Sequence, residues 1–115
     1  MNERVFQMKL SDVYPLYLNK VTKKGRTTEE LEAVICWLTG YDGDGLREQS
    51  DQECTLERFF AEAPKINPNA AKITGVICGV RVEEMANPLM QKIRWMDKLV
   101  DELAKGKSLD KICRS

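Results

Sequence analysis

Trp37, Tyr41, Asp42, Cys78, Arg81 and Trp95 are the side chains with which this chain could do chemistry or recognition. Cys78 has Gly79 beside it and Arg81 three positions on. A reactive thiol needs a cation, a base or a helix N-terminus to depress its pKa, and a helix would put Arg81 on the same face. Against that stands the ordinary fate of a free cysteine, which is to be buried and inert. Asp42 and Asp44 alternate with Gly43 and Gly45. The pattern hints at a calcium loop, but such a loop needs more acidic ligands and a terminal bidentate glutamate. A turn with helix capping is the expectation there. Trp37, Tyr41 and Trp95 could pack the core, frame a partner surface or line a small-molecule pocket, because aromatics supply core and interface energy alike.

The chemistry that is excluded is clearer than the chemistry that is present. There is no histidine. Ser-His-Asp and Cys-His catalysis, histidine metal ligation and histidine pH sensing fall together. Cys36, Cys54, Cys78 and Cys113 are irregularly spaced with no CxxC pair, which speaks against a zinc ribbon or a thioredoxin-type site. No cofactor motif is present. Gly75 and Gly79 have GxxxG spacing, which in a soluble helix allows close helix approach, whereas a phosphate loop needs denser glycines after a strand. Met1 to Leu10 alternates charged and apolar residues and reads as neither signal peptide nor anchor, and no apolar stretch approaches membrane-spanning length. The cysteines are accordingly expected as reduced thiols in a cytoplasmic protein.

Eighteen basic residues balance eighteen acidic ones. A dedicated duplex binder carries a basic excess, so nucleic acid is disfavoured as a partner; the one place for it would be Lys20, Lys23, Lys24 and Arg26. The charges are segregated. From Glu29 to Glu62 ten acidic residues face only Arg47 and Arg58, a local balance of −8, and each flank carries about +4. Either the faces neutralise each other, within the fold or across a dimer, or an acidic patch recruits a basic partner.

The elements that must position these residues read as helices in a single domain of 115 residues. Ser11 is a candidate N-cap, with Leu10, Val13, Tyr14, Tyr17, Leu18 and Val21 at helical spacing behind it and Pro15 at the edge of the first turn. Gly25 stops that helix. Thr27 and Glu30 have capping-box spacing and open a second helix with Leu31, Val34, Ile35 and Leu38 as its buried stripe, ended by Gly40. A short helix over about 45–50 and one capped by Thr55 over 56–62 follow. Asn67-Pro68 and Asn87-Pro88 are cap-plus-proline starts. The second opens the longest amphipathic run, carrying Leu89, Ile93, Met96, Leu99, Val100 and Leu103 and ending at Gly106. The outer face of that run, with Arg94, Asp97, Lys98, Asp101, Glu102 and Lys105, reads as helix-supporting ion pairs or a charged docking face. Ser108 caps a last turn with Leu109 and Ile112. Ile73 to Val82 fits helix or strand; helix is preferred because no nearby strand offers a partner. The predicted architecture is all-α, an irregular orthogonal array of about five to seven short helices, the alternative being α+β with a small strand element around Ile73-Val82.

The runs Val13-Tyr14-Pro15-Leu16-Tyr17, Trp37-Leu38-Thr39-Gly40-Tyr41, Ile73 through Glu83 and Asp97 through Lys107 together resemble the bacterial family called domain of unknown function 2200. The resemblance spans nearly the whole chain and implies a mainly helical orthogonal fold. It implies no activity and no site residues. The residues themselves point first to a non-enzymatic module that docks another protein or a second copy of itself, marked by an exposed apolar patch centred on Trp37 or Trp95. The alternative is a small enzyme or metabolite binder with a cleft that gathers Asp42, Cys78 or Arg81.

Overall fold

Helix α3 (Thr28–Thr39) and helix α6 (Pro88–Ala104) form the centre of the computed structural model, which describes residues 4–77 and 79–114. Both start where their caps demand. The Thr27 hydroxyl accepts from the Glu30 N–H, and the Glu30 carboxylate accepts from the Thr27 N–H, a complete capping box. Asn87 accepts from the Met90 N–H ahead of Pro88. Leu31, Val34, Ile35 and Leu38 of α3 are buried against Ile93, Met96, Leu99, Val100 and Leu103 of α6. Each such side chain contributes about 1.5–3 kcal/mol through the apolar area it removes from water.

Helix α2 (Leu10–Thr22) packs against both and buries Leu10, Val13 and Val21. It begins two residues earlier than its sequence suggests. Lys9, not Ser11, is the N-cap, with extended backbone and no side-chain cap bond, and Pro15 therefore lies inside the helix. A backbone bridge supplies what the cap does not: the Leu10 N–H donates to the Cys54 carbonyl at 2.9 Å and the Leu56 N–H to the Met8 carbonyl at 2.8 Å. This clamp fastens the short α1 (Arg4–Gln7) to α5 (Leu56–Ala61), whose Leu56, Phe59 and Phe60 are buried. Helix α4 (Gly43–Asp51) packs on α2 and α3 through Leu46. It is longer than expected because Asp42, not a later residue, caps it, accepting from the Gly45 N–H at 2.7 Å. A 3-10 turn (Pro68–Lys72) follows the Asn67 cap, and α7 (Leu109–Ile112) closes on α6 after Ser108.

The all-α expectation holds, and its alternative identifies the exception. Residues 73–82 do not form the preferred helix. β1 (Val76–Ile77) and β2 (Val80–Arg81) pair antiparallel, with Val76 opposite Arg81 and Ile77 opposite Val80. A strand needs a partner, and this segment supplies its own. Gly75 and Gly79 have φ of +112° and +78°, which suits turns and not a helix. The GxxxG helix-packing reading fails with it. The hairpin lies on α6, where the Lys98 ammonium donates to the Val76 carbonyl at 3.4 Å and the Gln91 amide to the Val82 carbonyl at 2.9 Å. No helix among the described residues is long and apolar enough to cross a membrane.

Candidate functional site

The structure disperses the residues in which sequence reading saw chemistry. Tyr41 is a core residue: its ring stacks on Phe59 at 4.9 Å, and its hydroxyl donates to the Phe59 carbonyl at 2.7 Å. Asp42 is the α4 cap. Arg81 is exposed on the hairpin and stands 3.9 Å from Glu83 and 3.7 Å from Glu84. Cys78 lies outside the described residues. Trp37 and Trp95 are half-buried and pack against the core, so neither centres an exposed apolar patch. The Trp95 ring N–H is buried with no hydrogen-bond partner. Of the four basic residues around the end of α2, Arg26 is committed to Glu30 at 2.6 Å and to the Lys107 carbonyl at 3.0 Å, and Lys20 to Asp101 at 3.3 Å. The outer face of α6 is largely self-paired: Arg94 with Asp97 at 2.8 Å, and Lys105 with Asp101 at 3.0 Å.

Cys36, Cys54 and Cys113 are free thiols. Burial pushes all three pKa values up, so none is poised as a thiolate. Among the described residues no group of three or more Cys, Asp or Glu is placed to hold a metal ion.

Among the described residues, two concave surfaces stand out. The first is an apolar groove of about 180 Å³ between α1, α2, α5 and α6, lined by Val5, Met8, Val13, Leu16, Leu56 and Ile93. Leu16 is 63% exposed and Met8 40%. The polar end of the groove is closed on itself, because the Tyr17 hydroxyl donates to Asp97, which also holds Arg94. Sequence contained one signal of this surface. Leu16 falls off the stripe of Leu10, Val13, Tyr17 and Val21, so an α2 that buries its stripe must leave Leu16 in solvent.

The second is a cleft of about 240 Å³ where α2, α3 and α4 meet. Leu46 forms its apolar floor, and Tyr14, Glu32, Arg47, Ser50 and Asp51 surround it. Arg47 bridges Asp44 at 2.6 Å and Glu32 at 3.3 Å. Burial, followed by the nearby Glu32 carboxylate, pushes the Tyr14 hydroxyl pKa up to about 12. A Cβ on Gly43 would stand 3.3–3.4 Å from the Arg47 guanidinium and 3.4 Å from the Glu32 carboxylate, both of them side-chain ends that can shift. Nothing in the sequence announced this cleft, because three helices contribute to it at unrelated spacings.

Comparison with known proteins adds kinship without chemistry. No curated protein matches the chain. The crystal structure of the uncharacterized protein SP1917 matches with a TM-score of 0.92 and 44% sequence identity, over 97% of this chain and 92% of that one. The model of the family described as an uncharacterized protein conserved in bacteria, domain of unknown function 2200, matches residues 4–114. With its helical order, its hairpin and the runs that first suggested the kinship all inside that span, this chain belongs to the bacterial domain of unknown function 2200 family.

Proposed function

We propose that the chain is a cytoplasmic, non-enzymatic protein-interaction module whose docking surface is the apolar groove beside Leu16. The observation that carries this is a leucine 63% exposed on the rim of a groove lined mainly by apolar side chains. Leaving such surface in water is costly, and a partner that covers it recovers the hydrophobic term. The docking face differs from the expected one, since the tryptophans are partly buried against the core.

The occupant that fits is a second copy. One face carries both the recess and the knobs, Leu16 and Met8, that could fill it, and a two-fold interface requires that self-complementarity. Its charges also favour an apolar partner: Asp97 is satisfied by Tyr17 and Arg94 within the same chain. The cytoplasmic placement rests on the free thiols of Cys36, Cys54 and Cys113.

Sedimentation equilibrium over a hundredfold concentration range tests the reading. The expected result is a reversible dimer that Leu16→Lys converts to monomer, with unchanged circular dichroism and melting temperature. If the wild-type chain stays monomeric throughout, the second copy is the wrong occupant. If Leu16→Lys and wild type also retain the same proteins from a nuclease-treated lysate, the groove is not the docking surface.

A further inference from the structure

We infer, on the strength of the docking reading, that Tyr17 sets the specificity of the groove. Its hydroxyl caps Asp97 and so gives a groove that ends on a carboxylate a neutral wall. That wall admits an apolar side chain of a second copy and turns a cationic one away.

Three of the side chains that line the groove are polar: Tyr17 from α2, and Arg94 and Asp97 from α6. They stand together because the two helices run in the same direction here. Tyr17 meets Asp97, and Lys20, three positions on, meets Asp101, four positions on, at 3.3 Å. Asp97 serves two donors. Its Oδ1 accepts from the Tyr17 hydroxyl, and its Oδ2 accepts from the Arg94 guanidinium at 2.8 Å. The Arg94 and Asp97 side chains are 23% and 18% exposed, so both charges already stand largely out of water. The guanidinium balances the charge, and the hydroxyl occupies the other oxygen.

The two donors therefore do different work. Loss of Arg94 would unbalance the charge. Loss of the Tyr17 hydroxyl keeps the charge pair but takes the donor from Oδ1. In a single chain water can replace that donor, because the tie is only partly buried. Once a second copy covers the groove, water is shut out and the oxygen is orphaned. A cation on the occupant would then supply what the hydroxyl did. With the hydroxyl in place, a cation finds no acceptor at that end and its desolvation is not offset. Tyr17 thus opposes the wrong occupant as well as leaving the right one without penalty. The Tyr17 ring itself packs against the core, so phenylalanine keeps the shape of the wall and removes the hydroxyl alone.

The test is sedimentation equilibrium of the full chain as wild type, Tyr17→Phe, Leu16→Lys and the double variant, at low and moderate salt. Melting temperatures at dilution check the fold of each. Tyr17→Phe should weaken the dimer about tenfold or more, with little change in the dilute melting temperature. Leu16→Lys, monomeric in the wild-type background, should regain a dimer in the Tyr17→Phe background, and that dimer should weaken as salt rises. A tie that merely props α2 on α6 would lower the melting temperature and leave Leu16→Lys monomeric in both backgrounds. That result, or a Tyr17→Phe dimer as tight as the wild type, overturns the assignment and leaves the docking reading standing. A wild type that is monomeric throughout overturns both.

Discussion

Two glycines show how differently the same residue type is used. Gly40 ends α3 with φ +81°, and a Cβ built on it would stand 2.8 Å from the Lys65 backbone nitrogen and oxygen. Both are backbone atoms that cannot swing aside, because the Lys65 N–H is bonded to the Thr39 carbonyl. Gly79 has φ +78° and nothing within 4 Å of its would-be Cβ. Gly40→Ala thus meets left-handed backbone strain and a steric clash, while Gly79→Ala meets strain alone. The expected costs are about 3 kcal/mol or more for Gly40→Ala and about 1–2 kcal/mol for Gly79→Ala, read from urea midpoints at constant m-value. Similar losses at both sites would show that contact with Lys65 is relieved by movement of that loop. In the sequence Gly40 reads as a helix stop and Gly79 as half of a helix-packing pair. Only the structure separates a glycine needed for its dihedral angle from one needed for its size as well.

Most caps that close within three residues are legible in the sequence, and boundaries set by distant bonds are not. Thr27–Glu30, Thr55, Asn67 and Asn87 all cap as their spacing predicts, since a cap closes within three residues. The start of α2 was misplaced because its first N–H bonds Cys54, more than forty positions away. The hairpin stands only as the alternative to a helix in the sequence, because Val76, Ile77 and Val80 satisfy the helical template as well as the strand one, and two glycines decide the matter through their dihedral angles. The core stripes of α3 and α6 were read correctly, for a 3.6 period is a local property. The cleft was invisible, since it exists only where three helices meet. Long-range polar closure also governs the C-terminal end. Arg114 donates to both oxygens of Glu102, at 2.7 and 2.8 Å, and Glu102 is 7% exposed on α6. Arg114→Ala would leave a buried carboxylate with only Lys107, at 3.5 Å. Such a loss costs about 2–4 kcal/mol, and pairing it with Glu102→Leu should recover most of that, because the desolvated charge disappears with its partner. Additive losses in the double variant would mean that the pair stabilises through its charges and not merely by avoiding an orphan.

At the scale of the whole molecule, the segregated charge is only partly neutralised inside the fold. Lys9–Glu53, at 3.0 Å, and Arg26–Glu30 join the basic flank to the acidic middle, whereas Glu29, Asp42, Glu48, Asp51 and Glu57 carry no ion pair among the described residues. What is neutralised gives the stability a definite dependence on pH. The Arg26 guanidinium holds Glu30 below its ordinary 4.5, Arg58 does the same for Glu62, and backbone N–H groups do so for Glu83. Burial pulls Asp101 upward, but hydrogen bonds from Lys105 and Lys20 outweigh it and leave it below 3.8. For each, the unfolded chain takes up protons first as pH falls. Their stabilisation is therefore complete above the ordinary carboxylate range and is lost as pH drops through the folded values. The alkaline side has the opposite sign. Burial raises Cys36, Cys54 and Cys113 above 9.0 and carries Tyr14 and Tyr41 from 10.0 to about 12, so the unfolded chain loses protons first. Stability should then fall as pH rises past about 9. With no histidine to titrate between these limits, the melting temperature should form a plateau from about pH 5 to about pH 8 and decline on both sides. Differential scanning calorimetry from about pH 3 to about pH 10.5 checks this. Asp101→Asn should lower the plateau and flatten the acid limb, because the variant has already lost what protonation removes. An acid limb as steep in Asp101→Asn as in the wild type would show that the link between α2 and α6 through Lys20 and Asp101 contributes nothing to folding.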